Sequence, residues 1–483
     1  MHHGRHSQPE PEGPRPSRLP LLLILCVAQL MVILDVTAVN VALPDMARDL
    51  GLGHAELGWT ITSYSLVFGS LLLLGGRAAD RLGRRRVFLT GLGIFTLASL
   101  TSALAADATS LFAARAGQGL GAALLSPAAL SIITSTFHGR ERAHALAAWG
   151  AVGGAGAAVG VLLGGALTEL VDWRAIFFIN LPIGIALAVG AHRLVPADSA
   201  RPSWRGLDLR GALLATVSIA GLVFAASRAE VAGWASAQTL GVGIAALLGL
   251  AAFALLELRT TQPLLRVQRL RDRAVGGGFA MMLAASAVMF GAFLLSSLYL
   301  QDVLGTGALA TGLAFLPFAA AIGAGVHVAS HLIDHAGVRI PLVAGFLVTA
   351  TGMLLLSGVS ADGRYLADLL PGMLVAGLGL GVILVSVSVA LLTGAAHEES
   401  GMLSGLNTTG HEIGGSIGIA VLATIATGTG GSAATGGLAA GIGNAFLVGG
   451  LIAAVASVIA MIALPSASSF LHKLRLAPRV SIH

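Results

Sequence analysis

The chain has 483 residues, of which 55% are hydrophobic and only 11% are charged, and its mean hydropathy is +0.87. Soluble domains carry about a quarter charged residues, so this composition excludes an ordinary soluble protein. The formal net charge is +5, but the arginines lie in short segments between apolar runs, which argues against nucleic-acid binding. The single cysteine, Cys26, excludes a disulfide framework and a cysteine-based metal cluster.

The chain begins with a polar segment at 1–18, rich in His, Pro and Glu, which we predict to be a disordered cytoplasmic leader. It is too long and proline-rich for a cleavable signal peptide, and the first apolar run already has the length of a membrane span. Fourteen apolar runs can each form a helix that crosses a hydrocarbon core of about 30 Å, which predicts an all-α integral membrane protein. The predicted spans lie at 19–43, 57–78, 86–106, 110–136, 143–169, 174–196, 208–228, 235–257, 274–301, 308–333, 338–359, 365–394, 402–428 and 436–465.

The basic residues predict how the spans are oriented. Arginine clusters precede the first span and follow most even-numbered spans, whereas the opposite connections hold only Arg48, Arg174, Arg228 and Arg364. By the positive-inside rule, both termini, including the tail at 466–483, are expected on the cytoplasmic side of the inner membrane.

An internal repeat divides the spans into two halves. An Ala-Gly-x-Gly-Leu-Gly stretch at 116–121 returns at 376–381, and an Asp-x-x-Gly-x-Arg pattern at 80–85 returns at 334–339. Glycine-rich matches also arise from composition alone, but two matches at like positions favour a duplicated bundle. The repeat predicts a six-helix bundle at 19–196, two inserted helices at 208–257 and a second six-helix bundle at 274–465.

The connection between the second and third spans combines a turn-forming glycine, a carboxylate and several guanidinium groups. It resembles the signature loop of the major facilitator superfamily, and the resemblance implies a clasp that locks the cytoplasmic side in one conformation. The alternative, a positive cluster that only orients the helices, accounts for the arginines but not for the carboxylate or the glycine. The candidate clasp residues are Gly76, Asp80, Arg81, Gly83, Arg84 and Arg85.

Three further segments resemble the fourteen-span drug:proton antiporters of this superfamily. They are Leu-Asp-Val-Thr-Ala-Val-Asn-Val-Ala-Leu-Pro at 34–44, Trp-Arg through Phe-x-Asn-x-Pro-x-Gly at 173–184, and Ser-Gly-x-Asn followed by Gly-Gly-x-x-Gly at 404–418. The resemblance implies a major facilitator fold of two six-helix bundles plus two inserted helices, in a protein that we expect to be a monomer. It also implies proton-coupled efflux, with the proton gradient in place of any cofactor.

Two ionisable residues in the first half are candidates for proton coupling. Arg115 lies inside the fourth span, where an ionised group costs several kcal/mol unless it is paired or hydrated. The resemblance implies a coupling role for it, and the alternative is that it pins helices by hydrogen bonding to their carbonyls. Asp35, in the first span, is the candidate proton carrier; the alternative is a hydrated residue at the outer mouth, capped by Thr37 or Asn40.

The second half has its own ionisable candidates. His411 and Glu412 lie about ten residues into the thirteenth span, where they form either a second protonatable site or a polar patch that faces the cytoplasmic funnel. His327 and His331, one helical turn apart, could ligate a metal in principle, but no third ligand is apparent and we expect no metal site.

The fifth span carries closely spaced glycines, Gly156, Gly160, Gly164 and Gly165. This set resembles the antiporter motif of exporters in the superfamily, although Val161 stands where the motif has a proline that would kink the helix. The alternative is static packing, because small residues let membrane helices approach closely.

A duplicated bundle of this kind places a substrate cavity near the membrane midplane, opened to either side by a rocking motion. We expect its walls to be aliphatic side chains together with methionines and phenylalanines, because methionine adapts to many ligand shapes, although most of these methionines and phenylalanines are expected to face lipid. They are Met281, Met282, Met289, Phe279, Phe290 and Phe293. The candidate cavity residues are Asn40, Gln118, Met289, Phe293 and Asn407.

The sequence therefore predicts proton-driven export of hydrophobic or cationic drugs, or of a secondary-metabolite antibiotic. The alternative within transport is an importer or facilitator of a small polar solute, which the first and thirteenth spans disfavour because they resemble the efflux family. A membrane enzyme would need a nucleophile, a base or a metal cluster, and the sequence has no ATP-binding Gly-x-x-x-x-Gly-Lys-Ser/Thr loop.

Overall fold

The computed structural model describes residues 18–52, 54–198, 208–261, 263–392, 399–428 and 435–465. The leader and tail predicted at 1–18 and 466–483 lie outside these residues, apart from Arg18. Within the described ranges all long elements are helices and no strand occurs. The helices are α1 (Leu19–Leu50), α2 (His54–Leu82), α3 (Arg84–Ala103), α4 (Ala108–Thr136), α5 (Gly139–Leu170), α6 (Ala175–Phe178), α7 (Asn180–Leu194), α8 (Leu209–Ala232), α9 (Ala237–Glu257), α10 (Arg273–Leu298), α11 (Ala308–Ala336), α12 (Arg339–Leu356), α13 (Leu370–Leu392), α14 (Ser400–Gly428) and α15 (Thr435–Ala463).

Eleven helical segments in the described part of the chain are long and apolar enough to cross a membrane. α5 and α8 contribute shorter apolar segments, Val159–Leu170 and Arg210–Ala226. α14 has 29 residues, but its first half is polar, which sets it apart from the eleven. The sixth predicted span is divided at Ile179 into α6 and α7, which together form one of the eleven segments.

Two π-helical turns extend α-helices of the bundle. Tyr299–Val303 continues α10, and Tyr365–Leu369 leads into α13. These turns were not expected from the sequence, because their composition matches that of the flanking α-helices. They lengthen the helical segments to Arg273–Val303 and Tyr365–Leu392.

Helix packing follows two groups. α1 to α7 pack mainly on one another, chiefly through α2 and α3 on α4 and through α1 on α5. α10 to α15 do the same through α10 on α14 and through α13 on both α11 and α12. The groups meet at two seams, α5 on α11 and α2 on α14, and the pair α8–α9 rests with α8 against α2 and α14.

Close helix crossings depend on glycine. At Gly75 in α2, an added Cβ would overlap the carbonyl oxygen of Ala123 in α4, and at Gly418 in α14 it would overlap the backbone of Ala287 in α10. In lipid no hydrophobic force brings helices together, so this backbone proximity supplies the dispersion contacts that hold each group.

The end of the bundle where α2 turns into α3 is here named the basic end. Arg84 and Arg85 begin α3 there, and the connection from α9 to α10 brings Arg266 to the same place, since the first turn of α14 contacts both segments.

Candidate functional site

A buried cluster of polar side chains surrounds Asp35. Asp35 and Arg115 are each 1% exposed, and Arg115 Nη1 donates to Asp35 Oδ2 in an ion pair. Gln118 Nε2 donates to Asp35 Oδ1 at 2.7 Å, and Asn180 Nδ2 donates to the same oxygen at 3.3 Å. Both carboxylate oxygens therefore have donors. The alternative of a hydrated residue at the outer mouth is wrong, because Asp35 is shielded from water, and the Thr37 hydroxyl bonds to the Ile33 carbonyl rather than to Asp35.

Arg115 also holds α4 against α2. Its Nε donates to the carbonyl oxygen of Thr60 at 3.2 Å, and its guanidinium lies 4.5 Å from the ring centroid of Tyr64. The helix-pinning contact and the ion pair with Asp35 thus occur together. α4 begins at a capping box in which Asp107 and Ser110 bond each other's backbone N–H groups, which fixes the start of the helix that carries Arg115.

Tyr64 was not expected from the sequence as part of this cluster. Its side chain is 1% exposed and its hydroxyl has no hydrogen-bond partner. The hydroxyl lies within electrostatic reach of Asp35, Arg115 and Glu412. Tyr64 is therefore a buried residue of α2 beside the Asp35–Arg115 pair.

The polar first half of α14 faces the seam with α2 and the packing with α10. His411 Nδ1 lies 2.7 Å from Ser286 Oγ, and its ring centroid is 5.2 Å from that of Phe290. Glu412 points towards α2, because a Cβ on Gly69 would lie 3.8 Å from the Glu412 Cβ. These two residues are therefore half-buried where α14 meets α10 and α2.

The predicted cavity residues are dispersed rather than gathered around one space. Gln118 belongs to the Asp35 cluster, Met289 is 7% exposed in the core, and Phe293 stacks on Phe315 at 4.3 Å between centroids. Asn407 is buried and its Oδ1 has no partner. The side chain of Asn40 lies outside the described residues.

The expectation that most of the methionines and phenylalanines around 279–293 face lipid is wrong for the three methionines. They are buried in the packing of α10, where an apolar helix offers no polar face by which sequence alone could tell core from lipid. These residues are Met281, Met282 and Met289.

The glycines of α5 form its contact with α1, the helix that carries Asp35. A Cβ on Gly156 would lie 3.0 Å from Ile33 Cγ2, and one on Gly160 would overlap Thr37 Oγ1. Gly164 packs in the same way, with its Cβ position 2.6 Å from the Ala38 Cα, and Gly165 is buried beside it. α5 runs unbroken through Val161.

At the basic end, Asp80 joins α2 to the start of α14. Its Oδ2 accepts a hydrogen bond from the Met402 backbone N–H at 2.9 Å, and Arg84 Nη2 lies 3.7 Å from its Oδ1. A carboxylate at a helix N-terminus is stabilised by the helix dipole. Gly76 lies in the same seam between α2 and α14, with its Cα 3.5 Å from the position of a Cβ added to Gly405. Arg81, the residue after Asp80, is half-buried.

Gly83 makes the turn from α2 to α3. Its φ of +104° is accessible to glycine but strained for other residues, and an added Cβ would overlap the Asp198 carboxylate. Asp198, which the sequence did not point to, accepts hydrogen bonds from the backbone N–H groups of Arg85 and Arg86, each at 3.1 Å. It thereby caps α3, while the Arg85 side chain bonds to the carbonyl of His192.

At the opposite end, Arg174 links the connection after α5 to the last turn of α1. Its Nη1 lies 2.6 Å from Asp49 Oδ2, and its guanidinium is 4.3 Å from the Trp173 ring centroid. This hydrogen bond lowers the pKa of Asp49 below its usual value. A cavity of about 340 Å³ opens beside the pair.

The two histidines considered as metal ligands lie on the exposed face of α11, with 3.3 Å between the Nε2 atoms of His327 and His331. Among the described residues, no group of three or more His, Cys, Asp or Glu side chains could hold a metal ion.

Known proteins identify the family of this chain. The profile of the Major Facilitator Superfamily matches residues 25–419. The puromycin resistance protein pur8 of Streptomyces alboniger is 40% identical over 421 residues, covering 86% of this chain and 83% of that protein. The cephamycin export protein CmcT of Amycolatopsis lactamdurans is 38% identical over 416 residues, covering 85% and 86%. The chain belongs to the major facilitator superfamily, a family of transporters rather than enzymes.

The fold also resembles solved structures. The crystal structure of the human organic anion transporter MFSD10 (TETRAN) superposes with a TM-score of 0.66 at 16% identity, covering 92% of this chain and 100% of that chain. At this identity the likeness shows the all-helical fold alone.

Proposed function

We propose that the protein exports drugs or an antibiotic across the cytoplasmic membrane in exchange for protons. Relatives with 40% and 38% identity are named for puromycin resistance and cephamycin export. The observation that carries the coupled mechanism is the Asp35–Arg115 ion pair, 1% exposed inside the helix bundle. Ionised groups at such depth are costly, and they are characteristic of ion pathways and proton relays.

Asp35 is the proposed proton carrier. A proton on its carboxyl removes the charge that holds Arg115 and weakens the tie between α1 and α4. Arg115 keeps its bond to the Thr60 carbonyl and its contact with the Tyr64 ring, so its charge remains partly compensated. Proton binding therefore changes a contact between helices, which is what coupling to a conformational change requires.

Glu412 and His411 are proposed as a second protonatable site. They lie on α14 beside α2, and Tyr64 provides an electrostatic link between Glu412 and the Asp35 pair. The seam between the two helix groups opens and closes in alternating access, so a titratable group in it senses which state is occupied.

The proposed topology has fourteen spans, with two six-helix bundles at 19–196 and 274–465 and an inserted pair at 208–257. The arginines of the basic end support its placement in the cytoplasm, with both termini on that side. Asp80, Arg84 and the α14 N-terminus form the proposed clasp, which holds the cytoplasmic side closed and breaks when that side opens. We expect a monomer that needs no cofactor.

The proposed substrates are hydrophobic or cationic small molecules. The packing of α10 and α14 supplies an apolar surface with Met282 and Phe290, and α14 also carries buried polar atoms without partners, Asn407 Oδ1 and Thr409 Oγ1. Adaptable sulfur-containing side chains together with a few polar groups suit ligands of varied shape.

The test is uptake into everted membrane vesicles with an acid interior, using a panel of cationic dyes together with puromycin and a cephamycin. We expect accumulation of at least one compound that a proton uncoupler abolishes. Asp302→Asn, an exposed carboxylate, serves as the matched control for Asp35→Asn. Uptake that the uncoupler leaves unchanged would favour a facilitator instead, and no uptake of any compound would contradict an exporter of these classes.

A further inference from the structure

The connection from α9 to α10 binds the start of α14. We name residues 263–272 of this connection the strap. Arg266 Nη1 lies 2.7 Å from Glu399 Oε1, and Arg269 Nη2 donates to the other oxygen of the same carboxylate. The Glu399 side chain is 5% exposed. Two guanidinium groups on one shielded carboxylate form a strong, charge-assisted contact.

The strap and the clasp meet on the same helical turn. The Arg266 backbone N–H lies 3.4 Å from Met402 Sδ, and the Met402 N–H donates to Asp80. The inserted helices therefore have their own attachment to the point where the two helix groups close at the basic end.

The other end of the strap is anchored to a buried carboxyl. Glu257, the last residue of α9, is 1% exposed, and its Oε2 accepts a hydrogen bond from the Leu265 N–H at 3.1 Å. Its other oxygen, Oε1, is buried without a donor, and so is Oδ2 of Asp208. Both of these oxygens lie beside Gly211, and the two side chains are within hydrogen-bonding reach of each other.

Glu257 is buried and Asp208 is half-buried, but the oxygens that they turn towards each other are both shielded from water. Two such carboxyl groups in contact cannot both be ionised at low cost, so one proton is shared between them. The charged group that interacts with Glu257 from α2 is Arg77, which in turn has Arg81, Asp80 and Arg266 around it. Arg77 carries a single positive charge, so it can offset one carboxylate of the pair but not two. The shared proton therefore belongs to the pair as a unit.

We propose that Asp208 and Glu257 form a proton-binding site that controls the strap, so that proton binding closes the basic end and proton release opens it. Asp208 Oδ1 accepts from the Gly211 N–H at 2.9 Å and caps α8, which holds this side chain in place. When the proton leaves, repulsion displaces the longer Glu257 side chain and its bond to Leu265 is lost. The strap then loses its anchor, and Arg266 and Arg269 leave Glu399.

This inference rests on the proposed function, because a lock at the basic end acts on transport only if that end opens during the cycle. An exporter that admits protons acidifies the compartment at its inner mouth. The strap then closes that mouth as protons accumulate, which is negative feedback on proton entry. The inserted pair thereby supplies a regulatory proton site distinct from Asp35.

The experiment measures the distance across the basic end by pairs of spin labels. Cysteines at Gln268 in the strap and at His138 between α4 and α5, both exposed, are introduced into full-length Cys26→Ser protein in lipid nanodiscs without substrate. We expect the separation to lengthen as the pH rises from acidic to alkaline. Glu257→Gln and Asp208→Asn should each give the short label separation at every pH. Glu399→Gln should also remove the pH dependence, but it should give the long label separation at every pH.

Gly211→Ala tests the same site without changing a charge. Its Cβ would overlap Glu257 Oε1 and lie 2.6 Å from Asp208 Oδ2, so we expect the long separation at every pH. A pH response that persists in both Glu257→Gln and Asp208→Asn, or that is normal in Gly211→Ala, overturns the proposal. Asp35→Asn should keep the full pH dependence of the spin-label separation. If this variant loses proton-driven export but keeps that pH dependence, the loss concerns proton coupling at Asp35 and not the strap.

Discussion

Arg115 and Asp35 are 80 positions apart in the sequence and form an ion pair in which both side chains are at most 1% exposed. The pair joins α4 to α1, and no water-filled surface screens it, so its Coulomb attraction is strong. A proton and a guanidinium therefore compete for one carboxylate. This competition is the physical basis of the coupling proposed for the protein.

Replacing Arg115 by Lys tests whether the positive charge of this residue is enough for function or whether its planar guanidinium is also needed. Lysine retains a positive charge for Asp35 but has no planar fork to reach the Thr60 carbonyl or to lie on the Tyr64 ring at the same time. We expect folded protein with proton-driven efflux reduced by about tenfold or more. Efflux equal to that of the unmodified protein would show that charge alone suffices.

At the clasp, Asp80→Asn should slow turnover while leaving folded protein in the membrane. The change removes a charge that the N-terminus of α14 stabilises by up to about 2 kcal/mol. A shift of this size changes the ratio of two conformations by about tenfold or more. Dye efflux is measured together with the yield of folded protein by size-exclusion chromatography. Arg84→Ala, which removes the other side of the ion pair, is tested beside Asp80→Asn. Unchanged rates in both variants would leave the loop with only its role in orienting helices.

Gly83→Ala should reduce turnover through backbone strain. The φ of +104° costs a non-glycine residue about 1 kcal/mol or more, and the new Cβ would displace the Asp198 cap from α3. Gly93→Ala is the matched control in α3, because nothing lies within 4 Å of its added Cβ. A similar loss of thermal stability and turnover in both variants would contradict a specific role for the turn.

Gly160→Ala should force α5 away from α1, because the new Cβ overlaps Thr37 Oγ1. We expect a loss of efflux or stability that the added change Thr37→Ala partly restores, since it removes the atom in conflict. Gly153→Ala, with open space around its Cβ, should behave like the unmodified protein. If Thr37→Ala gives no rescue, the glycine acts through something other than its contact with α1.

Local sequence patterns predicted much of this molecule. Apolar runs predicted the helices. The segment at 76–86 drew attention to Asp80 and Gly83, which lie against the Met402 N–H and at a turn with positive φ, and the role of these residues as a clasp stays a prediction. The residues around Asp35 were only partly predicted. Tyr64 and Asn180 come from other helices, and an apolar helix gives little periodic signal of which face turns inward.

The strap was not predicted for a related reason. Its arginines looked like orienting charges, and their partner Glu399 is 130 or more positions away. Nothing in the local sequence distinguishes a basic connection that only sets topology from one that binds a distant carboxylate. Asp208 and Glu257 are likewise ordinary helix-end residues until the packing of α8 on α9 brings them together.

The most direct test of the account combines proton release and efflux for Asp35→Asn. Asparagine keeps the size of the side chain and much of its hydrogen bonding but cannot bind and release a proton. We expect purified Asp35→Asn to release no protons on addition of drug and to show no uncoupler-sensitive dye efflux in energised vesicles, while binding drug within about tenfold of the unmodified protein. Glu412→Gln is the comparison, since the same loss there instead would move the carrier to α14. Full proton release and full efflux by Asp35→Asn would contradict the account and leave Asp35 as a structural partner of Arg115.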